Sequence, residues 1–339
     1  MLEPNFPKET TMNLPNDDYL KAMNYLHPEQ IPVSICILPA AWMHYREALD
    51  RLVERHASLF PWQTSGERDY DAVSGTYAEG EHIDAWGCVW SNVCHGMEAI
   101  VTGHPLKTRE MVRTLKAPQQ DIGFPHGFMF LRLADLRGFE ELMVDFAEEP
   151  PELQQLIDIV LEYNLRQVDL LLATKKEPEM VFFGDDQGMQ TSLPMGPEKW
   201  RKYLKPCYQA IFKRVRAAGH LVYMHTDGHI HEIIPDFVEC GVNVINPQIR
   251  ANGIDNLVRV CKGKVCVDLD LDRQLFPFAS PAEIDAHIRD SVEKLGAPEG
   301  GLWLRGNIDQ GVPLENIEAI FCALEKYREM FSTAGNVNS

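Results

Sequence analysis

Along this chain, short apolar runs alternate with segments whose apolar residues recur every three or four positions. The clearest helical stripe spans 196–218, where Trp200, Tyr203, Leu204, Cys207, Tyr208, Ile211, Phe212 and Val215 share one face. Pro197 stands at its first turn and Gly219 follows its end, the usual order of helix punctuation. Helices are predicted likewise over 39–57, 153–173, 281–295 and 313–331. The runs Val33–Leu38, Gly127–Leu133, Met180–Phe183, Leu221–Met224, Val242–Ile245, Lys264–Leu269 and Leu302–Leu304 read as buried strands, with one more near Cys88–Trp90. About eight strands alternating with helices imply a parallel sheet. Such a count in one chain favours a closed (β/α)8 TIM barrel, with a doubly wound open sheet as the alternative. No short repeat or Gly/Ser linker interrupts the pattern. Residues 18–335 therefore read as a single barrel domain behind an N-terminal extension of residues 1–17.

In a barrel, catalytic side chains gather where strands run into loops. The densest such place is LVYMHTDGHIH, Leu221 to His231, where an apolar run leads into His225, Asp227, His229 and His231. His225, at the strand end, reads as a metal ligand, a proton donor or a hydrogen-bonded core histidine. His229 and His231 read as the solvated first turn of the next helix. Asp185, Asp186 and Gln187 follow another strand. The two acids suit general acid–base chemistry, metal ligation or substrate contact, or else cap a turn before Gly188. Asn246 and Gln248, then Asp268, Asp270 and Asp272, then Arg305, Asn307 and Asp309 stand at further strand ends. In the run from Asp84 to Trp90, Trp86 and Trp90 flank a glycine beside an acid, as an aromatic pocket or a packed wall. Cys88 and Cys94 make only a weak zinc pair at their six-residue spacing.

Composition narrows the partners. Acids outnumber bases 50 to 32, a net charge of −18, and no basic run occurs. Nucleic acid and anionic membrane surfaces require clustered Lys and Arg, so neither is expected as a partner. No apolar stretch of about 18 residues predicts a membrane span. The first residues lack the basic and apolar regions of a signal peptide. Eight cysteines without a CxxC pair read as reduced thiols, so a cytoplasmic protein is expected. Neither a G-x-G-x-x-G after the first strand nor a P-loop motif is present.

The Asp84–Trp90 run, Gly184–Gln190 followed by Met195-Gly-Pro-Glu-Lys-Trp, His225 at its strand end, Gly241-Val-Asn-Val-Ile-Asn-Pro-Gln and Val312-Pro-Leu-Glu-Asn-Ile occur in a telling order. From about Asp18 to Tyr327 the chain thus resembles the uroporphyrinogen decarboxylase-like superfamily. The resemblance implies a (β/α)8 barrel and one of two activities. One branch decarboxylates the acetate arms of uroporphyrinogen without a cofactor. The other moves a methyl group between a small donor or thiol acceptor and a separate corrinoid protein, usually using zinc.

This chain departs from both. It has no arginine-rich segment resembling the decarboxylases' RQAGRY, and Leu304-Arg-Gly-Asn-Ile-Asp occupies the region of their C-terminal Gly-His-Gly. Its acidity also opposes capture of an octa-acid. The methyltransferases' His-x-Cys here reads His225-Thr-Asp227, and no cysteine lies near Gly306. The implied metal, zinc by analogy, would take mainly nitrogen and oxygen ligands: His225 and Asp227, with Asp270 and Glu81. Such a site suits a Lewis acid that polarises an ether or hydroxyl oxygen. The expected activity is methyl transfer of the corrinoid-dependent O-demethylase type. Asp84, Asp185, Asp186 and His225 are its expected catalytic groups. Trp86, Trp90, Gln187, Asn246, Gln248 and Arg305 are its expected substrate contacts. No corrinoid-binding D-x-H-x-x-G occurs, so the corrinoid is expected on a partner protein, and a homodimer is compatible. The alternatives are a cofactor-free decarboxylase using Asp84 or Asp185, and a non-catalytic barrel that binds a ligand or a corrinoid protein.

Overall fold

Strands β1 (Thr11–Met12), β2 (Val33–Ile37), β3 (Gly80–Ile83), β4 (Val89–Asn92), β5 (Ile100–Gly103), β6 (Met180–Gly184), β7 (Leu221–Thr226), β8 (Val244–Pro247), β9 (Cys266–Asp270) and β10 (Leu302–Ile308) alternate with helices through most of the chain. The computed structural model describes residues 11–332 except 13, 15, 61–67, 74, 121–122 and 176. Most of the extension expected over 1–17 lies outside the described residues. The chain divides into two compact units, residues 1–13 with 74–243, and 14–73 with 244–339.

In the first unit β6 and β7 run parallel, from Met180 beside Leu221 to Gly184 beside His225. β1 joins β6 antiparallel. Val181, Phe183, Val222, Tyr223 and Met224 are buried, as in a parallel pair covered on both faces. The helices Gly196–Tyr203 and Lys205–Ala217 bury Trp200, Tyr208 and Phe212, and Phe237 packs on Trp200 and Tyr208 at ring separations of 5.1 and 5.2 Å. Burying each such ring contributes roughly 2–3 kcal/mol. The single helix expected over 196–218 is two, meeting at Leu204. Pro206 lacks the N–H that a continuous helix would need there.

Three further expectations in this unit are corrected. Gly127–Leu133 is not a strand; its second half opens the helix Phe130–Arg137. Its apolar run is too short for periodicity to separate strand from helix. What decides is a distant acid, since Asp185 accepts the N–H groups of Met129, Phe130 and Leu131. The Cys88–Trp90 segment leads into β4, which belongs to a separate antiparallel sheet, β3–β4–β5. His229 and His231 also precede the next helix, Ile234–Cys240, instead of forming its first turn.

In the second unit β8, β9, β10 and β2 are parallel neighbours. Register sets Trp303 beside Asp268, Arg305 beside Asp270, and Asn307 beside Cys36. Strand alternation puts these polar residues on one face. The helices Pro281–Leu295 and Leu314–Tyr327 bury Ile284, Ile288 and Val292, and Ile317, Ile320, Phe321 and Leu324. Ser280 and Glu283 form a reciprocal cap at the start of the first. The helix expected over 39–57 is Pro39–Arg55, interrupted at Arg46 (φ 46°). The α/β architecture with parallel strands is as expected, and six of the predicted strands lie in parallel pairings. Among the described residues no helix is long and apolar enough to cross a membrane.

Candidate active site

Because β6 and β7 end level, the residues after them meet. The Asp185 N–H bonds the His225 carbonyl at 3.1 Å. Asp186 Oδ1 accepts the Asp227 N–H at 2.9 Å and lies 3.8 Å from His225 Nε2. His225 Nε2 is also 3.4 Å from Asp227 Oδ1. A third side chain arrives from the loop before Phe130: His126 Nε2 stands 3.0 Å from Asp186 Oδ2. One ligand atom from each of His126, Asp186 and His225 lies within 4.8 Å of the other two.

Two glycine features make this meeting possible. The Gly127 N–H bonds the Gly184 carbonyl at 2.7 Å, which seats the His126 loop on the end of β6. A Cβ on Gly184 would stand 2.6 Å from His126 Nδ1, so only glycine leaves room for the imidazole. Beyond the site the two loops touch backbone to backbone, and a Cβ on Gly228 would come within 2.2 Å of the Gly188 oxygen. Gly228 also has φ +84°, a conformation that suits glycine.

Charge fits the geometry. Burial works against the charged form of His126, yet the hydrogen bond and charge of Asp186 outweigh it and raise its pKa to about 9. Burial likewise opposes the Asp186 carboxylate, but His126 and His225 hold its pKa down at about 2. At neutral pH the unmetallated pair is an ion pair. Glu98, on the loop between β4 and β5, is raised by partial burial and by the charges of Asp186 and Asp227, against His126. Two imidazole nitrogens and one carboxylate oxygen, partly open to solvent, are a donor set that fits a catalytic zinc ion with a free position.

The other expected residues of this unit are differently placed. Asp185 is fully buried, where besides three N–H groups it accepts the Tyr208 hydroxyl at 2.5 Å. Burial raises its pKa to about 6 in spite of those donors. Gln187, also fully buried, accepts Trp200 Nε1 and donates to the Asp185 carbonyl. Asp84 accepts the N–H groups of Trp86 and Cys88 with one oxygen, and Trp90 Nε1 and Arg132 Nη1 with the other. Arg132 is buried and stands 3.8 Å from Asp135. Burial first, then Asp84, raises the Asp135 pKa to about 7 against the pull of Arg132. Trp86 is buried edge-on to Tyr163, whereas Trp90 is half-buried and stacked on His82. Glu81 is exposed on β3 opposite Ser91 and stands outside the trio.

The second unit holds its own polar group. Asn246 Nδ2 donates to the Asp268 carbonyl, and Gln248 bridges to Asp270. Asp270 accepts Asn307 Nδ2 at 2.6 Å and lies 3.1 Å from Arg273, while Arg305 is 3.9 Å from Asp268. Sequence reasoning missed His126, Arg132 and Tyr208. A Pro-His-Gly loop before an apolar run was the only local sign of the first; Arg132 lies inside the run read as a strand, and Tyr208 looks like an ordinary member of a helical stripe.

The model of the uroporphyrinogen decarboxylase family matches residues 130–327, more than half of the chain. A methyltransferase from Methanosarcina mazei is similar in fold, with a TM-score of 0.60 over 93% of this chain and 99% of its own, at 17% identity. A B12-independent methionine synthase from a Shewanella species, solved with selenomethionine, covers 74% of each chain with a TM-score of 0.39 and 12% identity. No curated protein matches the sequence.

Proposed function

The chain belongs to the uroporphyrinogen decarboxylase family, and within it we propose that the protein is a methyltransferase, taking a methyl group from a small methoxylated donor to a corrinoid carried by a partner protein. We take the fold to be the family's (β/α)8 barrel. The observation that carries the reading is the meeting of His126, Asp186 and His225 at the ends of β6 and β7. A zinc ion bound by these three would supply Lewis acidity toward a substrate oxygen. Asp186 orients both imidazoles from one carboxylate. The substrate carbon–oxygen bond breaks, its electron pair stays on oxygen, and the methyl group passes to cobalt(I) of the partner. The oxygen then takes up a proton, for which Glu98 is the nearby acid. Trp90, with its indole N–H tied to Asp84, offers a partly open ring face for an aromatic donor.

Decarboxylation would ask a free carboxylate to stabilise a pyrrole-like cation. Asp84 is neutralised by Arg132 and accepts four hydrogen bonds, and Asp185 is sealed by four donors of its own. Neither has the exposure such a step needs.

The test is metal analysis of protein purified without chelators, with methyl transfer from methoxylated aromatics to free cob(I)alamin as the assay. Zinc and transfer are expected in the native protein and both are lost in His225→Ala. Full zinc content and full transfer in that variant would sink the assignment.

A further inference from the structure

The small sheet β3–β4–β5 presents two unlike faces. On one, His82 stacks on Trp90, whose indole reaches Asp84. On the other, Glu81, Ser91 and Ile100 form a row across the three strands, with Ile83 two residues along. That outer face carries two open apolar side chains beside Glu81 and Ser91: Ile83 is 69% exposed and Ile100 67%. The β4–β5 loop adds Val93 at 89% and Met97 at 40%. Isolated exposed apolar residues are ordinary, but four within 18 residues of one sheet and its loop are a candidate interface.

Charge says what kind of occupant fits. Residues 75–106 contain four acids and no Lys or Arg. Arg132 neutralises Asp84, which leaves Glu81 exposed in the row itself and Glu79 exposed just before β3. A second copy of this chain would bring the same uncompensated acids and a further net charge of −18. Nucleic acid and anionic lipid are repelled for the same reason. The complementary surface is apolar with a basic rim. The position of the loop adds a second argument, because Glu98 lies within electrostatic reach of His126, Asp186 and Asp227. A macromolecular methyl acceptor has to bring its cofactor to that trio.

We propose that the outer face of β3–β4–β5 and its β4–β5 loop dock the corrinoid-carrying partner protein through apolar contact ringed by acid–base pairs. The inference rests on the methyltransferase reading above. Attraction across such a rim speeds encounter and is screened by salt, whereas the central apolar side chains set the lifetime of the complex.

The experiment compares two acceptors, free cob(I)alamin and a recombinant corrinoid protein from a methyl-transfer system reduced to cobalt(I). Both are followed by loss of the cobalt(I) absorbance. Ile83→Asp with Ile100→Asp is expected to raise KM for the corrinoid protein by about tenfold or more, and to leave transfer to free cobalamin within about twofold. Glu79→Lys is expected to raise KM for the corrinoid protein and to weaken its salt dependence. Unchanged KM for the corrinoid protein in all variants would overturn the docking surface. An equal loss toward both acceptors would also overturn it, because the change would then lie in the barrel and not in docking. Native protein that methylates neither acceptor would instead remove the methyltransferase reading, and the inference with it.

Discussion

Asp186 engages two histidines from different parts of the chain, with His126 Nε2 3.0 Å from one oxygen and His225 Nε2 3.8 Å from the other. The side chain that joins them is therefore as important to the site as either imidazole. Asp186→Asn is expected to lower zinc content and to cut methyl transfer by about 100-fold, with the circular dichroism spectrum preserved. Normal zinc content and turnover in this variant would show that the trio is not the working site.

Arg132 and Asp84 form a buried ion pair at 2.6 Å, so removing one partner strands the other. Arg132→Met is expected to destabilise the protein by about 3–5 kcal/mol in urea unfolding. Adding Asp84→Asn should recover part of the loss, because only Asp135 then still lacks its guanidinium partner.

Asp185 is the anchor of the helix Phe130–Arg137. Asp185→Ala leaves three N–H groups and the Tyr208 hydroxyl without their acceptor, and is expected to cost about 3 kcal/mol or more. Tyr208→Phe removes one of the four donors and should cost about 1–2 kcal/mol. Similar unfolding midpoints for both variants would contradict this division of roles.

Asp135 gives the fold a pH dependence. Its folded pKa, about 7, lies above its unfolded value because burial disfavours the charged form. Its contribution to stability is therefore complete below about pH 4, the unfolded pKa, and is lost as pH rises through about 7. In Asp135→Asn, urea midpoints should fall less than in the native protein across this range. Parallel profiles would exclude the effect.

Gly188 and Gly228 hold together the loops that carry Asp186 and Asp227. Gly228→Ala would press a methyl group against the Gly188 backbone and force an unfavourable φ. Turnover should fall by about tenfold or more as the loops part. A crystal structure of the variant would show a longer distance from Asp186 to the Asp227 N–H.

Local pattern was enough to mark most of the elements. Apolar runs located the six parallel strands because a covered parallel sheet demands continuous burial, and helical stripes located the helices because each needs one buried face. The same reasoning put His225, Asp186 and Asp227 at strand ends. Sequence alone could not tell that Gly127–Leu133 opens a helix, since the group that caps its N–H donors lies more than fifty residues away, in Asp185. It also could not recruit His126, whose place depends on the missing side chain at Gly184. Nor could it distinguish Asp185, sealed by backbone donors, from Asp186, turned toward two imidazoles. Adjacent residues leaving a strand point to opposite sides, and only the tertiary structure decides what waits on each side. Residue type and spacing therefore determined which groups reach the ends of the strands, while long-range packing decided which of them meet.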